Sequence, residues 1–378
     1  MPRRQKILTL LLAAAFLLGS TPAVRAEEPA ISAASAIVYE PMTGTVLYEK
    51  DPDRRMLVAS TTKIMTALLA LERCDPDEPV AVTASHAAVE GSSAYLKQGE
   101  TYTAEELVYA LLLVSGNDAA AALADHIGGD MAGFAALMNE KCEALALKNT
   151  HFVNAHGLDD PEHYSTARDL ARLTAAAMEN ADFRRIFGAA RYEKDGRVYC
   201  NHNRLLQSCP GCTGGKTGYT RAAGRILVSC AEREGMRLIC VTLSDPDDWR
   251  DHAALYDALF AAWRFLPIPG SRAARVPVVS GTRGHAALTA ETPGVLVPAG
   301  TEAELRVFLP RFFFAPVLRG VQAGQAELWL NGERAAVYPL CFAENVTLDA
   351  LERLTAWERF RRAWFLSARY GAVYYPNF

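Results

Sequence analysis

The chain has 378 residues, half of them hydrophobic and 22% charged, with a formal net charge of −4. That composition excludes wholesale disorder, collagen and coiled coil, and the lack of a basic excess argues against a nucleic-acid binder. At roughly 150 residues per domain, the length implies two domains with an appendage.

Residues 1–26 read as a secretory signal. Arg3, Arg4 and Lys6 form a positive start, and Ile7 to Leu18 is apolar apart from one Thr. Gly19, Ser20 and Pro22 break a helix, and Val24 and Ala26 offer small residues for cleavage. The apolar stretch is shorter than the roughly 20 residues that span a bilayer. Removing residues 1–26, with four basic residues and no acidic one, takes the charge from −4 to −8. Export permits disulfides, and the chain has eight Cys. Most sit in apolar surroundings, where Cys packs as a small hydrophobe.

Ala36–Glu40 and Thr45–Tyr48 flank a Pro-containing turn and predict a hairpin. Ser60–Leu71 is helical in pattern, and further helices are expected at 104–113, 118–127, 131–146 and 165–179, the last capped by Ser165 or Thr166. Arg225–Cys230 and Met236–Leu243 predict a second hairpin, followed by a helix over 249–263. Strands, a helical block, strands and a closing helix make an α/β layer fold, a sheet covered by helices. Leu266-Pro-Ile-Pro-Gly270 reads as a linker. The expected domains are thus an α/β unit over 27–265, a small all-β unit over 271–346 and a tail over 347–378. In 351–378 five Arg face two Glu, and Leu354, Trp357, Phe360, Trp364 and Phe365 share one side of a helical wheel. A helix of that kind lies in a membrane interface.

Three motifs follow in order. Ser60-Thr-Thr-Lys63 opens an apolar helix. A Ser hydroxyl needs a base to become a nucleophile, and three residues of helix return Lys63 over Ser60. Burial beside another cation lowers a Lys pKa enough for that task. Ser115-Gly-Asn117 ends one apolar helix and precedes another. Its Ser hydroxyl and Asn amide suit proton passage and the holding of a substrate amide. Lys216-Thr-Gly218, after two Gly, suits a strand edge that pairs with an extended peptide.

Singly each motif is ambiguous; as an ordered set they resemble the serine penicillin-recognising superfamily. Within it the chain is most similar to low-molecular-mass penicillin-binding proteins acting as D-alanyl-D-alanine carboxypeptidases. Met56–Lys63, Asn154–Leu158, His163–Asp169 and Lys216–Thr220 carry that narrower likeness. The resemblance implies acyl transfer on peptidoglycan stem peptides: Ser60 as nucleophile, Lys63 as base, and Ser115 and Asn117 assisting. Lys216, Thr217, Gly218 and Tyr219 would bind substrate, the Ser60 and Tyr219 N–H groups forming the oxyanion hole. Arg250 falls where such enzymes carry an Arg for the terminal carboxylate, a task its fork suits. β-Lactams would acylate the same Ser60 and act as inhibitors.

Cys209-Pro-Gly-Cys212, four residues before Lys216, departs from the family pattern and reads as a structural disulfide or free thiols. Cys200 and His202 lie nearby, at a spacing that matches no zinc motif. There is no His-Glu-x-x-His, so no metal and no cofactor are expected. His156 and His163 read as structural. The alternatives are a class A β-lactamase, which needs a further Glu, with Glu162 the one at hand, and a catalytically silent wall scaffold.

Overall fold

The computed structural model describes residues 29–268, 274–290 and 292–349. The expected signal segment and the expected terminal amphipathic helix lie outside the described residues.

The first hairpin is β1 (Ser35–Glu40) and β2 (Thr45–Lys50). A tight 3-10 turn over Ala59–Thr62 feeds α1 (Lys63–Arg73). The short elements β3 (Pro79–Ala81), α2 (Ala84–Ala87) and β4 (Thr101–Thr103) lead into the helical block. That block is α3 (Ala104–Leu113), α4 (Asn117–Gly128), α5 (Met131–Ala144), α6 (Ala167–Ala177) and α7 (Ala181–Phe187). The hairpin β5 (Arg191–Lys194) and β6 (Arg197–Cys200) and the turn-length α8 (Leu205–Ser208) follow. Then come β7 (Cys212–Thr220), β8 (Gly224–Arg233), β9 (Met236–Leu243) and α9 (Asp248–Ala262).

The helix starts follow their caps. Thr103 accepts from the Glu106 N–H while the Glu106 carboxylate takes the Thr103 N–H, a reciprocal box that opens α3. Thr166 caps α6 through the Asp169 N–H. The helix expected from Ser60 is α-helical only from Lys63, since Ala59–Thr62 form a tighter 3-10 turn entered through Ala59 at φ +44°. The β5–β6 hairpin escaped the sequence reading, although Asp195-Gly196, with φ of 51° and 75°, is the residue pair such tight turns demand.

The main sheet has five strands in the order β2-β1-β9-β8-β7, antiparallel throughout. Its central strands are buried on both faces, hence their near-continuous apolar runs. Ile226, Val228, Ile239 and Val241 enter the core shared with α1, α3, α4 and α6. Leu227, Leu238 and Cys240, one residue out of phase, pack with Leu255 and Tyr256 of α9. β7 ends the sheet, and among the described residues no strand pairs with its outer edge.

The linker expected at 266–270 starts inside a strand. β10 (Trp263–Pro267) follows α9 directly and pairs with Gly294–Pro298. The all-β unit is built on β11 (Arg275–Val279), β12 (His285–Ala290), β13 (Gly294–Pro298), β14 (Ala303–Phe308), β15 (Phe313–Phe314), β16 (Gln322–Leu330) and β17 (Glu333–Phe342). Six of these strands form one sheet, β14-β16-β17-β12-β11-β15, over its own apolar core. That unit continues past the expected end at 346: the Thr282 N–H donates to Thr347 O and the Asp349 N–H to Ser280 O, both at 2.9 Å.

Candidate active site

Ser60 stands on the 3-10 turn, half-buried, between the left-handed Ala59 and the first residue of α1. Backbone packs this turn from two sides. Gly157 has φ +87°, and a Cβ there would overlap the Ala59 carbonyl; one at Gly218 would lie 3.3 Å from the Ser60 nitrogen. The 150–166 loop straps the turn further. Met56 and Ser165 exchange backbone hydrogen bonds of 2.9 and 3.1 Å, Thr66 Oγ1 donates to Ala155 O at 2.7 Å, and His163 Nε2 meets Thr62 Oγ1 at 2.7 Å.

Lys63 has no solvent exposure. Its Nζ reaches Ser60 Oγ at 2.9 Å, Asn117 Oδ1 at 2.7 Å and His156 O at 2.7 Å. Burial holds its pKa well below the ordinary Lys value, the Lys216 charge lowers it further, and Asp118 opposes both. Asn117, first residue of α4, is fixed by its N–H to Ser92 O at 2.7 Å and its Nδ2 to Glu90 O at 2.6 Å. Ser115 occupies the connection between α3 and α4 at φ +62°. Its hydroxyl is buried and makes no hydrogen bond among the described residues. A Cβ on Gly116 beside it would come 2.6 Å from Asp118 Oδ1, so the Asp118 carboxylate would have to shift.

Lys216 and Gly218 face this cluster from the edge strand β7. Lys216 is buried, its Nζ 3.0 Å from Thr217 O, and burial lowers its pKa to about 7. Thr217 and Tyr219 alternate to the other face of β7. Arg225 pairs with Tyr219 across β7–β8 and therefore shares that face. Tyr219 is 68% exposed. Arg250, on the first turn of α9, turns its guanidinium to Asp247 at 2.8 Å and Asp251 at 3.4 Å, and no described contact joins it to the cluster.

Three contributors were not singled out from the sequence as parts of the site. Asp118 is buried and accepts from Ser93 Oγ at 2.7 Å, the Ala94 N–H at 2.9 Å and the Leu96 N–H at 3.1 Å, pinning the segment beside Asn117. His202, quoted only as a metal possibility, has its pKa lowered by burial and by the Lys216 charge. Asn203 packs its amide against Gly215 of β7. Only a sheet with helices on it brings these near; no local pattern marks them. His156 and His163 are held neutral, each lowered to about 4 chiefly by burial.

Glu162 is exposed, and its described bonds are backbone ones, to Asp160 Oδ1 and His151 Nδ1. No contact among the described residues ties it to Ser60, so Glu162 is not placed as the deacylating Glu of the β-lactamase alternative. Cys209 and Cys212 are free thiols in the turn that enters β7, and burial pushes both upward.

The arrangement is a buried amine on a Ser hydroxyl, an amide and a second hydroxyl beside it, and a strand edge alongside: the parts of an acyl-transfer site. Comparison with known proteins agrees. Residues 22–247 match the D-alanyl-D-alanine carboxypeptidase family model. The chain is 31% identical over 368 residues to D-alanyl-D-alanine carboxypeptidase DacF of Bacillus subtilis, covering 90% of this chain and 95% of that protein. It is 38% identical over 237 residues to DacB2 of Mycobacterium tuberculosis, covering 60% and 81%. Penicillin binding protein 5 from Haemophilus influenzae superposes with a TM-score of 0.68 at 28% identity, over 87% of this chain and all of that one. With its motifs in order on a shared fold, the chain belongs to the D-alanyl-D-alanine carboxypeptidase family of serine penicillin-binding proteins.

Proposed function

We propose that the protein removes the terminal D-Ala from peptidoglycan stem pentapeptides through an acyl-enzyme on Ser60. The observation that carries this reading is Lys63: fully buried, 2.9 Å from Ser60 Oγ, with its pKa depressed. As a neutral amine it keeps two N–H donors for Asn117 and His156 and accepts the Ser60 proton. The Ser60 oxygen attacks the carbonyl between the two D-Ala residues, and the Ser60 and Tyr219 N–H groups receive the oxyanion. The C–N bond breaks, and the proton taken by Lys63 reaches the leaving amine through the Ser115 hydroxyl. Water then attacks the ester, Lys63 takes its proton, and the C–O bond breaks to restore Ser60. Asn117 holds the substrate amide. The terminal carboxylate lies at the β7 edge, where Lys216 reaches it from one face and Thr217 and Arg250 from the other, Arg250 exchanging its Asp247 partner for the substrate. Penicillin enters by the same acylation and leaves slowly.

Release of D-alanine from a stem peptide ending in D-Ala-D-Ala tests this. The wild type releases it, while Ser60→Ala loses at least about a thousandfold in rate and is not labelled by penicillin. A folded wild type that releases none would overturn the reading.

The finer placement of the protein belongs to the same proposal. Residues 1–26 direct export, and the tail beyond the described residues holds the enzyme at the outer face of the cytoplasmic membrane. No helix among the described residues is long and apolar enough to cross a membrane.

A further inference from the structure

One group of side chains away from the cleft has no part in acyl transfer. Cys74 caps the C-terminus of α1, Glu78 lies just before β3, and His126 is in the last turn of α4. One thiol, one carboxylate and one imidazole donor there all lie within 4.8 Å of one another, and among the described residues no other group of three potential ligands converges in this way. His126 Nε2 is 2.7 Å from Glu78 Oε1.

The connecting loop is already ordered around the carboxylate. The Asp75 N–H donates to Glu78 Oε2 at 3.1 Å, the Glu78 N–H returns to Asp75 O at 3.0 Å, and the Ala104 N–H fixes Glu78 O at 2.9 Å. Burial, together with the charges of Glu78 and Asp75, raises the Cys74 thiol to about 11. A thiolate beside those carboxylates is unfavourable alone and favourable around a cation.

We propose that Cys74, Glu78 and His126 form a divalent-metal site of the zinc type, with water as fourth ligand. Thiolate, imidazole and carboxylate together are a borderline-soft set that selects zinc over magnesium or calcium. Tetrahedral bonds of about 2.0–2.3 Å place ligand atoms about 3.4–3.8 Å apart, so the widest separation here closes by about 1 Å through side-chain rotation. On binding, the Cys74 proton passes to solvent, and neutral His126 carries its single N–H on Nδ1 instead of Nε2, which becomes the ligand.

The site has a structural consequence. α1 begins at Lys63 and α4 at Asn117, and the proposed ligands sit at the far ends of both helices. At 1.5 Å per residue, the 11 residues of α1 put the metal about 16 Å from the base. It ties together the two helices that carry catalytic groups, without touching the reaction.

Titration of the reduced, chelator-treated full chain with Co²⁺, read by the thiolate-to-cobalt charge-transfer absorption, tests the proposal. The wild type gives the band, and Zn²⁺ bleaches it. Cys74→Ser loses it, His126→Ala weakens binding at least about tenfold, and Cys200→Ser, which removes an exposed free thiol, keeps it. Zn²⁺ raises the Tm of the wild type and leaves that of Cys74→Ser unchanged. Circular dichroism of the metal-free variants separates a lost ligand from a lost fold; if Cys74→Ser does not fold, Glu78→Gln carries the same comparison. A band that survives in Cys74→Ser, or a wild type that binds neither Co²⁺ nor Zn²⁺ at micromolar concentration, overturns the assignment.

Discussion

Lys63 and Lys216 are both buried on facing elements, and the Lys216 charge weakens the hold of Lys63 on its proton. Burial is the larger cause for Lys63 and the Lys216 charge the second. Replacing Lys216 with Met removes that second cause, so the Lys63 pKa rises and the acid limb of penicillin acylation moves to higher pH. A profile of acylation rate against pH measures this; an unmoved limb would uncouple the two amines. Lys216 also links stability to pH. Its pKa falls from 10.5 to about 7 on folding, so between those values the unfolded chain holds the extra proton. Stability therefore rises with pH across that window and is lost as pH falls towards 7. Urea unfolding at intervals between pH 7 and 9 shows this slope in the wild type and a flatter one in Lys216→Met.

At the level of elements, Ser60, the proposed nucleophile, is set by a turn that three segments enforce. Ala59 is left-handed, Gly157 presses its backbone on the Ala59 carbonyl, and Gly218 of β7 lies against the Ser60 nitrogen. Gly157→Ala adds a Cβ at φ +87° and drives it into that carbonyl. The strain alone costs on the order of 1–3 kcal/mol, and the Ser60 turn shifts with it. Urea unfolding reads the loss of stability, and penicillin acylation falls more steeply than stability does. Equal acylation in the folded variant would mean that the loop does not position Ser60. Most elements were legible because their signals are local: a cap at Thr166, apolar runs in β8 and β9, Gly and Pro at turns. The start of α1 was not, because the strain at Ala59 is imposed by the 150–166 loop and β7 rather than by its neighbours in sequence. The β5–β6 hairpin was legible in Asp195-Gly196 and was missed.

Across the whole molecule, the core between sheet and helices is distinct from the core of the all-β unit. Trp263, Phe265 and Leu296 pack against the α9 side of the main sheet, so the join between the units is apolar rather than a free linker. The last described backbone bonds reach Asp349, so a chain ending there keeps them. Deleting 350–378 is expected to leave penicillin acylation unchanged and to abolish co-sedimentation with vesicles containing anionic lipid. Retained co-sedimentation would refute the membrane role of the tail.

The sequence by itself determined the order of the three motifs, the reach of Lys63 back to Ser60, and the alternation that turns Lys216 and Gly218 to one side of a strand. These are properties of neighbours a few residues apart, which helix and strand geometry settle. The tertiary structure decided how far the Lys63 pKa falls, which depends on Lys216, Asp118 and burial from distant segments. It also decided that Arg250 pairs with Asp247 and Asp251 in the described structure, and that Cys74, Glu78 and His126 converge. Helix packing brings such groups together across the chain, and no local pattern encodes it.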